Sequence, residues 1–186
     1  VWVQNGGATL LQYIDGATVK TLSLTFPVAT TSTLGSIARP TRIQFFPDGI
    51  LGIALSPDGT QAAYLLGTEG GVDGFISKQD GSASKKLFSI PLSQVLLSWP
   101  APNTLLVGTK SAAGVPGIIF SVDVKGGAVI PFIYGSGISA IADRTFSRVL
   151  YRVAQETNSS SYSRDVKKAP DVGLSFDPIP EKCVWS

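Results

Sequence analysis

The chain has 186 residues, a formal net charge of +2 and no histidine. Its composition, 44% hydrophobic and 15% charged, is typical of a folded protein, and its length favours one domain over two. Because the charge is small and the lysines occur as isolated pairs, we do not expect nucleic acid as a partner.

The residue types that are missing also restrict the chemistry. Without histidine the chain lacks the base of Ser-His-Asp and Cys-His sites and the commonest zinc ligand. Cys183 is the single cysteine, so neither an internal disulfide nor a thiolate metal cluster can form. No apolar run approaches the roughly 20 residues of a membrane-spanning helix. We therefore expect no catalytic residue, no metal site, no cofactor and no membrane span within this chain.

Short apolar runs bounded by Gly, Pro, Asn and Asp predict an all-β protein throughout. Residues 1–25 read as the last three strands of an incomplete four-stranded unit. The Thr-, Ser- and Pro-rich residues 26–49 read as a long surface loop, with a binding loop as the alternative. Three complete units and the first strand of another follow, and we treat the whole of residues 1–186 as a single domain or a fragment of one. The complete units are 50–91, 92–134 and 135–177, and the further strand lies in 178–186.

The complete units recur at a regular interval. Their second strands align Tyr64, Val107 and Tyr151, which lie 43 and 44 residues apart. That spacing lies in the range of β-propeller blades, roughly 40 to 50 residues. The strands are apolar almost without alternation, which indicates sheets buried on both faces. We therefore predict a β-propeller of about four blades, each a four-stranded antiparallel meander.

Two questions of architecture stay open at this stage. The strand in 178–186 either begins a further blade of a longer, truncated propeller, which we favour, or pairs with residues 1–4 to close a small ring. A β-sandwich is a third arrangement, and it would place Tyr64 and Val107 in one sheet.

One turn is preserved better than the others. The stretch LSPDGTQAAYL contains Pro57, Asp58 and Gly59, and a second turn contains Asp80 and Gly81. Asp-Gly is typical of a tight chain reversal, and Pro57 fixes the backbone before the first of the two, so we interpret these five residues as structural turn residues. The motif resembles the propeller repeat of TolB and related WD-type proteins.

The resemblance implies a function of binding without chemistry. Proteins of this family mostly act as interaction scaffolds outside the cytoplasm, which implies a periplasmic or extracellular setting. It favours a noncatalytic scaffold at the bacterial cell envelope that binds a protein or a small ligand. Similar propellers precede the catalytic domain of prolyl-oligopeptidase-like enzymes, so the alternative is an accessory propeller that gates or binds substrate in a larger serine peptidase.

We expect any binding face to lie on the loops that join second and third strands. The acidic residues Glu69, Asp73 and Asp123 are expected to be solvated loop residues. The candidate binding residues on the three loops are Thr68, Glu69, Lys110, Ser111 and Tyr162.

Overall fold

A computed structural model describes residues 8–26, 39–110, 112, 114–154, 159–166 and 177–178 of the chain. Within these residues every regular element is a β-strand, which confirms the all-β prediction. The strands are β1 (Ala8–Asp15), β2 (Thr18–Thr25), β3 (Arg42–Phe45), β4 (Ile50–Leu55), β5 (Gln61–Thr68), β6 (Gly71–Lys78), β7 (Lys85–Ile90), β8 (Val95–Ala101), β9 (Thr104–Thr109), β10 (Pro116–Asp123), β11 (Val129–Ser136), β12 (Ser139–Ala142), β13 (Arg148–Ala154), β14 (Ser159–Asp165) and β15 (Asp177–Pro178).

The described strands form four antiparallel sheets, each with its strands in chain order. Sheet 1 has three strands, β1 to β3, and sheets 2, 3 and 4 have four strands each, β4 to β7, β8 to β11 and β12 to β15. Three of the sheets are thus the four-stranded meanders that the repeat predicts. The chain also divides into two compact units, Val1–Ser93 and Gln94–Ser186. The organisation as a single domain stays a prediction.

Sheet 1 differs from its prediction. Residues 42–45, assigned from the sequence to the loop 26–49, form β3 and pair with β2, with Leu22 opposite Phe45. Four residues after a Thr- and Pro-rich stretch are too few to show the alternation that indicates a strand. They form β3 because they pair with the neighbouring strand β2. The predicted strands in 1–4, 171–176 and 178–186 lie wholly or largely outside the described residues, apart from the short β15.

Each unit has its own apolar core between two sheets. In the first unit Tyr64 and Ile50 of sheet 2 pack with Leu10 of sheet 1 and with Phe46, which directly follows β3. In the second unit Leu106, Ile119 and Ile133 of sheet 3 pack with Val149 and Tyr151 of sheet 4. Both faces of β5 and β9 are buried, as their unbroken apolar sequences indicate, since consecutive residues of each strand (Ala62 to Leu65 and Leu105 to Val107) are at most 4% exposed.

The Ser-Pro-Asp-Gly turn joins β4 to β5 over residues 56–61. The Ser56 N–H donates to the carbonyl of Gln61 at 2.9 Å, and Gly59, at φ +73°, donates to the carbonyl of Ser56 at 2.8 Å. The hydroxyl of Ser56 donates to the Asp58 carboxylate at 2.5 Å, and this bond holds the pKa of Asp58 below its usual value. Asp58 is thus occupied in shaping the turn.

Sheet 4 repeats this turn at residues 143–148 with different side chains. The Asp143 N–H donates to the carbonyl of Arg148 at 3.1 Å, and Phe146 donates to the carbonyl of Asp143 at 3.0 Å. Phe146 has φ +51° where the first turn has glycine. The carboxylate belongs to the third residue of the first turn, Asp58, and to the first residue of the second turn, Asp143. The backbone conformation is thus repeated although the sequence motif is not.

The turn that contains Asp80 and Gly81 joins β6 to β7 and contacts sheet 1. The Asp80 carboxylate accepts hydrogen bonds from the Ser82 hydroxyl at 2.6 Å and its N–H at 3.0 Å, and these bonds hold its pKa below the usual value. Its other oxygen lies 3.2 Å from the Arg42 guanidinium of β3. Gly81, at φ +82°, lies against the Phe46 ring. The turn therefore links the outer part of sheet 2 to sheet 1.

Replacing Asp143 with asparagine is expected to destabilise sheet 4 in a pH-dependent way. The carboxylate accepts the hydroxyls of Thr145 and Ser147 and the backbone N–H groups of Ser147 and Arg148, led by Thr145 at 2.5 Å, and these bonds hold the pKa of Asp143 far below its usual range. Because the pKa is lowered in the folded state, the stabilisation is complete above about pH 4 and disappears as the pH falls through the folded-state pKa.

Thermal unfolding of wild type and Asp143→Asn at several pH values measures this difference. The melting temperatures should differ at pH 7 and converge as the pH falls below about 4. Asp123→Asn is the control, since the Asp123 carboxylate accepts one backbone N–H, from Gly126 at 2.6 Å. A difference that stays constant from pH 7 to pH 2 would contradict the role of the Asp143 charge.

Candidate functional site

An open cleft of about 390 Å³ lies at one end of sheet 2. It forms where the tight turn between β5 and β6 meets the end of β7. Two lining residues, Val72 and Ile90, are buried and apolar, and they pair with each other next to the Asp73–Ser89 pair, so their side chains lie on the opposite face of the sheet. The other lining groups are polar or belong to the turn and the chain after β7. The lining residues are Thr68, Gly70, Val72, Asp73, Lys86, Ser89, Ile90 and Pro91.

Asp73 is the central polar group of the cleft. One carboxylate oxygen accepts a hydrogen bond from the Ser89 hydroxyl at 2.7 Å, and the other accepts one from the Lys86 ammonium at 2.8 Å. The bond from Lys86, followed by that from Ser89, holds the pKa of Asp73 below its usual value. Asp73 is therefore ionised at neutral pH and held in one position by two neighbours.

A β-bulge places Lys86 beside Asp73. Asp73 pairs with Ser89 and Gly74 with Phe88, but the register shifts at the next pair, so that Phe75 lies opposite Lys86. Directly paired residues share a face, and residues two apart on a strand share a face. Lys86 therefore lies on the face that carries Asp73 and Ser89, whereas an unshifted register would place it on the opposite face.

The arrangement is suited to binding a polar group. An ionised carboxylate has about four lone-pair sites, and two of those on Asp73 are used by Lys86 and Ser89. The exposed Glu69 lies in the adjacent turn between the lining residues Thr68 and Gly70, although it is not itself part of the lining. Its carboxylate adds negative charge to the surroundings of the Asp73–Lys86 pair, which favours a ligand that carries a positive charge.

The predicted binding residues are distributed unevenly over the structure. Thr68 ends β5 and lines the cleft, and Glu69 lies in the two-residue turn that follows it. Lys110 follows β9, where its N–H donates to the carbonyl of Gln94 at 3.0 Å. Tyr162 lies within β14 opposite Tyr151, although the sequence placed it on a loop. Ser111 lies outside the described residues. Their role in binding stays a prediction.

The acidic residue Asp73 differs most from its prediction. It lies half-buried in β6, whereas the sequence analysis assigned it to a solvated loop. The available signal was a carboxylate within the otherwise apolar run VDGFI. Lys86 and Ser89 gave no such signal, because their proximity to Asp73 depends on the pairing of β6 with β7.

Comparison with known proteins identifies the fold. No protein-family model matches the sequence, and no curated protein matches it. Among solved structures, TolB from Acinetobacter baumannii superposes with a TM-score of 0.63 at 11% identity, over 90% of this chain and 40% of that chain. The β-propeller domain of the Trilobed protease from Pyrococcus furiosus gives 0.60 at 14% identity, over 92% of this chain and 53% of that chain. The chain has a TolB-like β-propeller fold.

The four sheets are accordingly propeller blades, and the predicted fold class is confirmed. Acylaminoacyl peptidase from Pyrococcus horikoshii also superposes, with a TM-score of 0.61 at 10% identity, over 92% of this chain and 30% of that chain. The chain thus spans between 30% and 53% of these three proteins. At such identities the similarity establishes the propeller fold.

The described part of the propeller lacks two features. No helix there is long and apolar enough to cross a membrane. Nor do three or more His, Cys, Asp or Glu side chains lie together there in a group that could hold a metal ion.

Proposed function

We propose that this propeller is a noncatalytic binding module, and that the cleft beside Asp73 binds a basic side chain of a partner polypeptide. The observation that carries the proposal is the position of Asp73, an ionised carboxylate oriented by Lys86 and Ser89 in the wall of an open cleft. The charged end of a lysine or arginine side chain would reach Asp73, with Glu69 in the adjacent turn.

The geometry suits binding better than acid–base chemistry. A general acid or base functions best with a pKa near the working pH, whereas the pKa of Asp73 is moved further below it. A carboxylate that stays ionised is suited to holding a cation. The expected affinity for a single side chain is weak, and a partner would gain strength from contacts around the cleft.

Titration of the ¹⁵N-labelled chain with N-acetyl-lysine amide and N-acetyl-arginine amide tests the cleft. Saturable amide shifts are expected at Thr68, Gly70 and Asp73, with shifts at least about threefold smaller for the neutral N-acetyl-glutamine amide. Asp73→Asn keeps the shape of the side chain and removes its charge, so it should weaken binding by about tenfold. Raising the salt concentration should weaken it further.

Asp48→Asn is the matched control. Asp48 also pairs with a lysine on the surface of the same unit, Lys20 at 2.5 Å, but lies outside the cleft lining. It should leave the titration unchanged. Equal shifts with the neutral amide, or unchanged binding by Asp73→Asn, would show that the cleft does not select a cation.

The alternative role, as an accessory propeller of a larger serine peptidase, stays a prediction. The complete gene decides it, because such an enzyme requires a segment with a Gly-x-Ser-x-Gly nucleophile elbow outside these residues. The setting at the cell envelope rests on the resemblance alone and is likewise a prediction. A reporter fusion to the full-length gene product measures it directly.

A further inference from the structure

The two hydrogen-bond donors to Asp73 in the cleft differ in how firmly they are held. Asp73 and Ser89 are directly paired between β6 and β7, a position in which Cβ atoms lie about 4.5 to 5.5 Å apart. The short Ser89 side chain spans this distance, with its hydroxyl 2.7 Å from Oδ1 of Asp73. Lys86 comes from beyond the bulge and reaches Oδ2 at 2.8 Å through a flexible four-carbon stem. The bond from Lys86 is therefore the one that can be released without moving a strand.

The ion pair of Asp73 and Lys86 is in contact with water. The Lys86 side chain is 51% exposed and the Asp73 side chain is 20% exposed. An ion pair in such a position adds little stability, because water solvates both charges and because holding a long side chain in one geometry lowers its entropy. Lys86 can thus turn out to solvent with a small loss of free energy, whereas Asp73 stays in the wall of the cleft.

A ligand cation and Lys86 would bind the same carboxylate. Each donates a charge-assisted N–H···O bond. Two cations bound to one oxygen, each at the 2.8 Å of the Lys86 bond, would lie within about 6 Å of each other, and like charges at that separation repel. The Ser89 hydroxyl on Oδ1 is neutral and repels neither of them. Binding of one cation therefore favours release of the other.

We propose that Lys86 is an internal competitor for the cleft: its ammonium occupies the Asp73 carboxylate in the free protein, and the ammonium or guanidinium of a bound partner displaces it. Ser89 keeps the carboxylate in place during the exchange. This inference rests on the proposed binding of a basic side chain, and it names the residue that limits the affinity. Removing the charge of Lys86 should accordingly strengthen binding, although Lys86 belongs to the lining of the cleft.

Titration of the ¹⁵N-labelled Lys86→Gln variant with the two basic amides measures the competition. Glutamine keeps part of the stem and removes the charge. The variant should therefore bind N-acetyl-lysine amide and N-acetyl-arginine amide about two- to fivefold more tightly than wild type, the range for an exposed ion pair that no longer has to be broken. Lys85→Gln is the matched control, since Lys85 is adjacent, exposed and outside the cleft lining, and its replacement changes the net charge equally. At 0.15 M salt the control should change the affinity by less than about 1.5-fold.

Two further measurements test whether Lys86 acts through Asp73. In an Asp73→Asn background the gain from Lys86→Gln should disappear, because the carboxylate for which the cations compete is gone, so the two substitutions should be non-additive. In wild type the ¹⁵Nζ resonance of Lys86 should shift when the cleft is saturated with N-acetyl-arginine amide, and that of Lys85 should not. Circular dichroism melting curves confirm that each variant is folded.

The outcomes separate the competitor from the cation site itself. If wild type binds the amides and Lys86→Gln binds them equally or more weakly, Lys86 is not a competitor, although the cation site stands. An equal gain with Lys85→Gln would have the same meaning. Binding by neither wild type nor Lys86→Gln would overturn the cation site and the competitor together, whereas binding detected only with Lys86→Gln would support both.

Discussion

Replacing Tyr64 with alanine is expected to lower the free energy of unfolding by about 3 to 5 kcal/mol, the range for a large aromatic side chain lost from a packed core. Tyr64 is 1% exposed. Its ring stacks on Phe75 at a centroid distance of 5.3 Å and meets Phe46, the residue after β3, edge-on at 5.7 Å. Alanine would leave a cavity at the contact between sheets 1 and 2. Since whole domains are stable by about 5 to 15 kcal/mol, the loss is a large fraction of the total.

Two further variants separate the sources of this effect. Tyr64→Phe keeps the ring and removes the hydroxyl, which lies 2.5 Å from the Ser84 hydroxyl, so it should cost about 1 kcal/mol. Tyr134→Ala makes the same truncation at a tyrosine that is 63% exposed, and should cost less than about 1 kcal/mol. Urea unfolding followed by circular dichroism measures all three. Similar losses for Tyr64→Ala and Tyr134→Ala would show that Tyr64 does not join the two sheets.

The features of the fold that sequence predicted are those that local pattern determines. Apolar runs and Gly- or Pro-containing turns are properties of neighbouring residues, and the interval between Tyr64, Val107 and Tyr151 is visible once the turns are placed. Within each sheet every strand pairs with the next strand in the chain, so chain order alone gives the order of strands in that sheet. The all-β class and the propeller followed from these local facts.

The cleft could not be predicted in the same way, because it depends on register. Asp73 is 13 residues from Lys86 and 16 from Ser89 in sequence. A one-residue bulge decides whether Lys86 faces Asp73 or the other side of the sheet. The sequence of residues 85–90, KKLFSI, contains no signal that predicts the bulge. The short strand β3 was missed for a related reason, since its pairing with β2 depends on how the chain returns from residue 26.

Replacing Gly71 with alanine is expected to be the other strongly destabilising change, by about 2 to 6 kcal/mol from backbone strain and overpacking together. Gly71 begins β6 with φ +144°, a conformation that residues with a side chain rarely adopt. A Cβ atom there would lie 2.2 Å from the carbonyl oxygen of Ile90 and 2.8 Å from the Cα of Pro91. These are backbone atoms, so they cannot rotate away as a side chain would.

The substitution should also disturb the cleft, because Ile90 and Pro91 belong to its lining. We therefore expect Gly71→Ala to lose the cation-dependent amide shifts under conditions where the chain is still folded. Gly70→Ala is a control one residue away: a Cβ atom at Gly70 meets nothing within 4 Å, so its stability should change by less than about 1 kcal/mol. Urea unfolding and the amide spectra measure the two variants side by side. Equal effects at Gly70 and Gly71 would contradict the close approach of β6 to the end of β7, and with it the way in which the cleft is built.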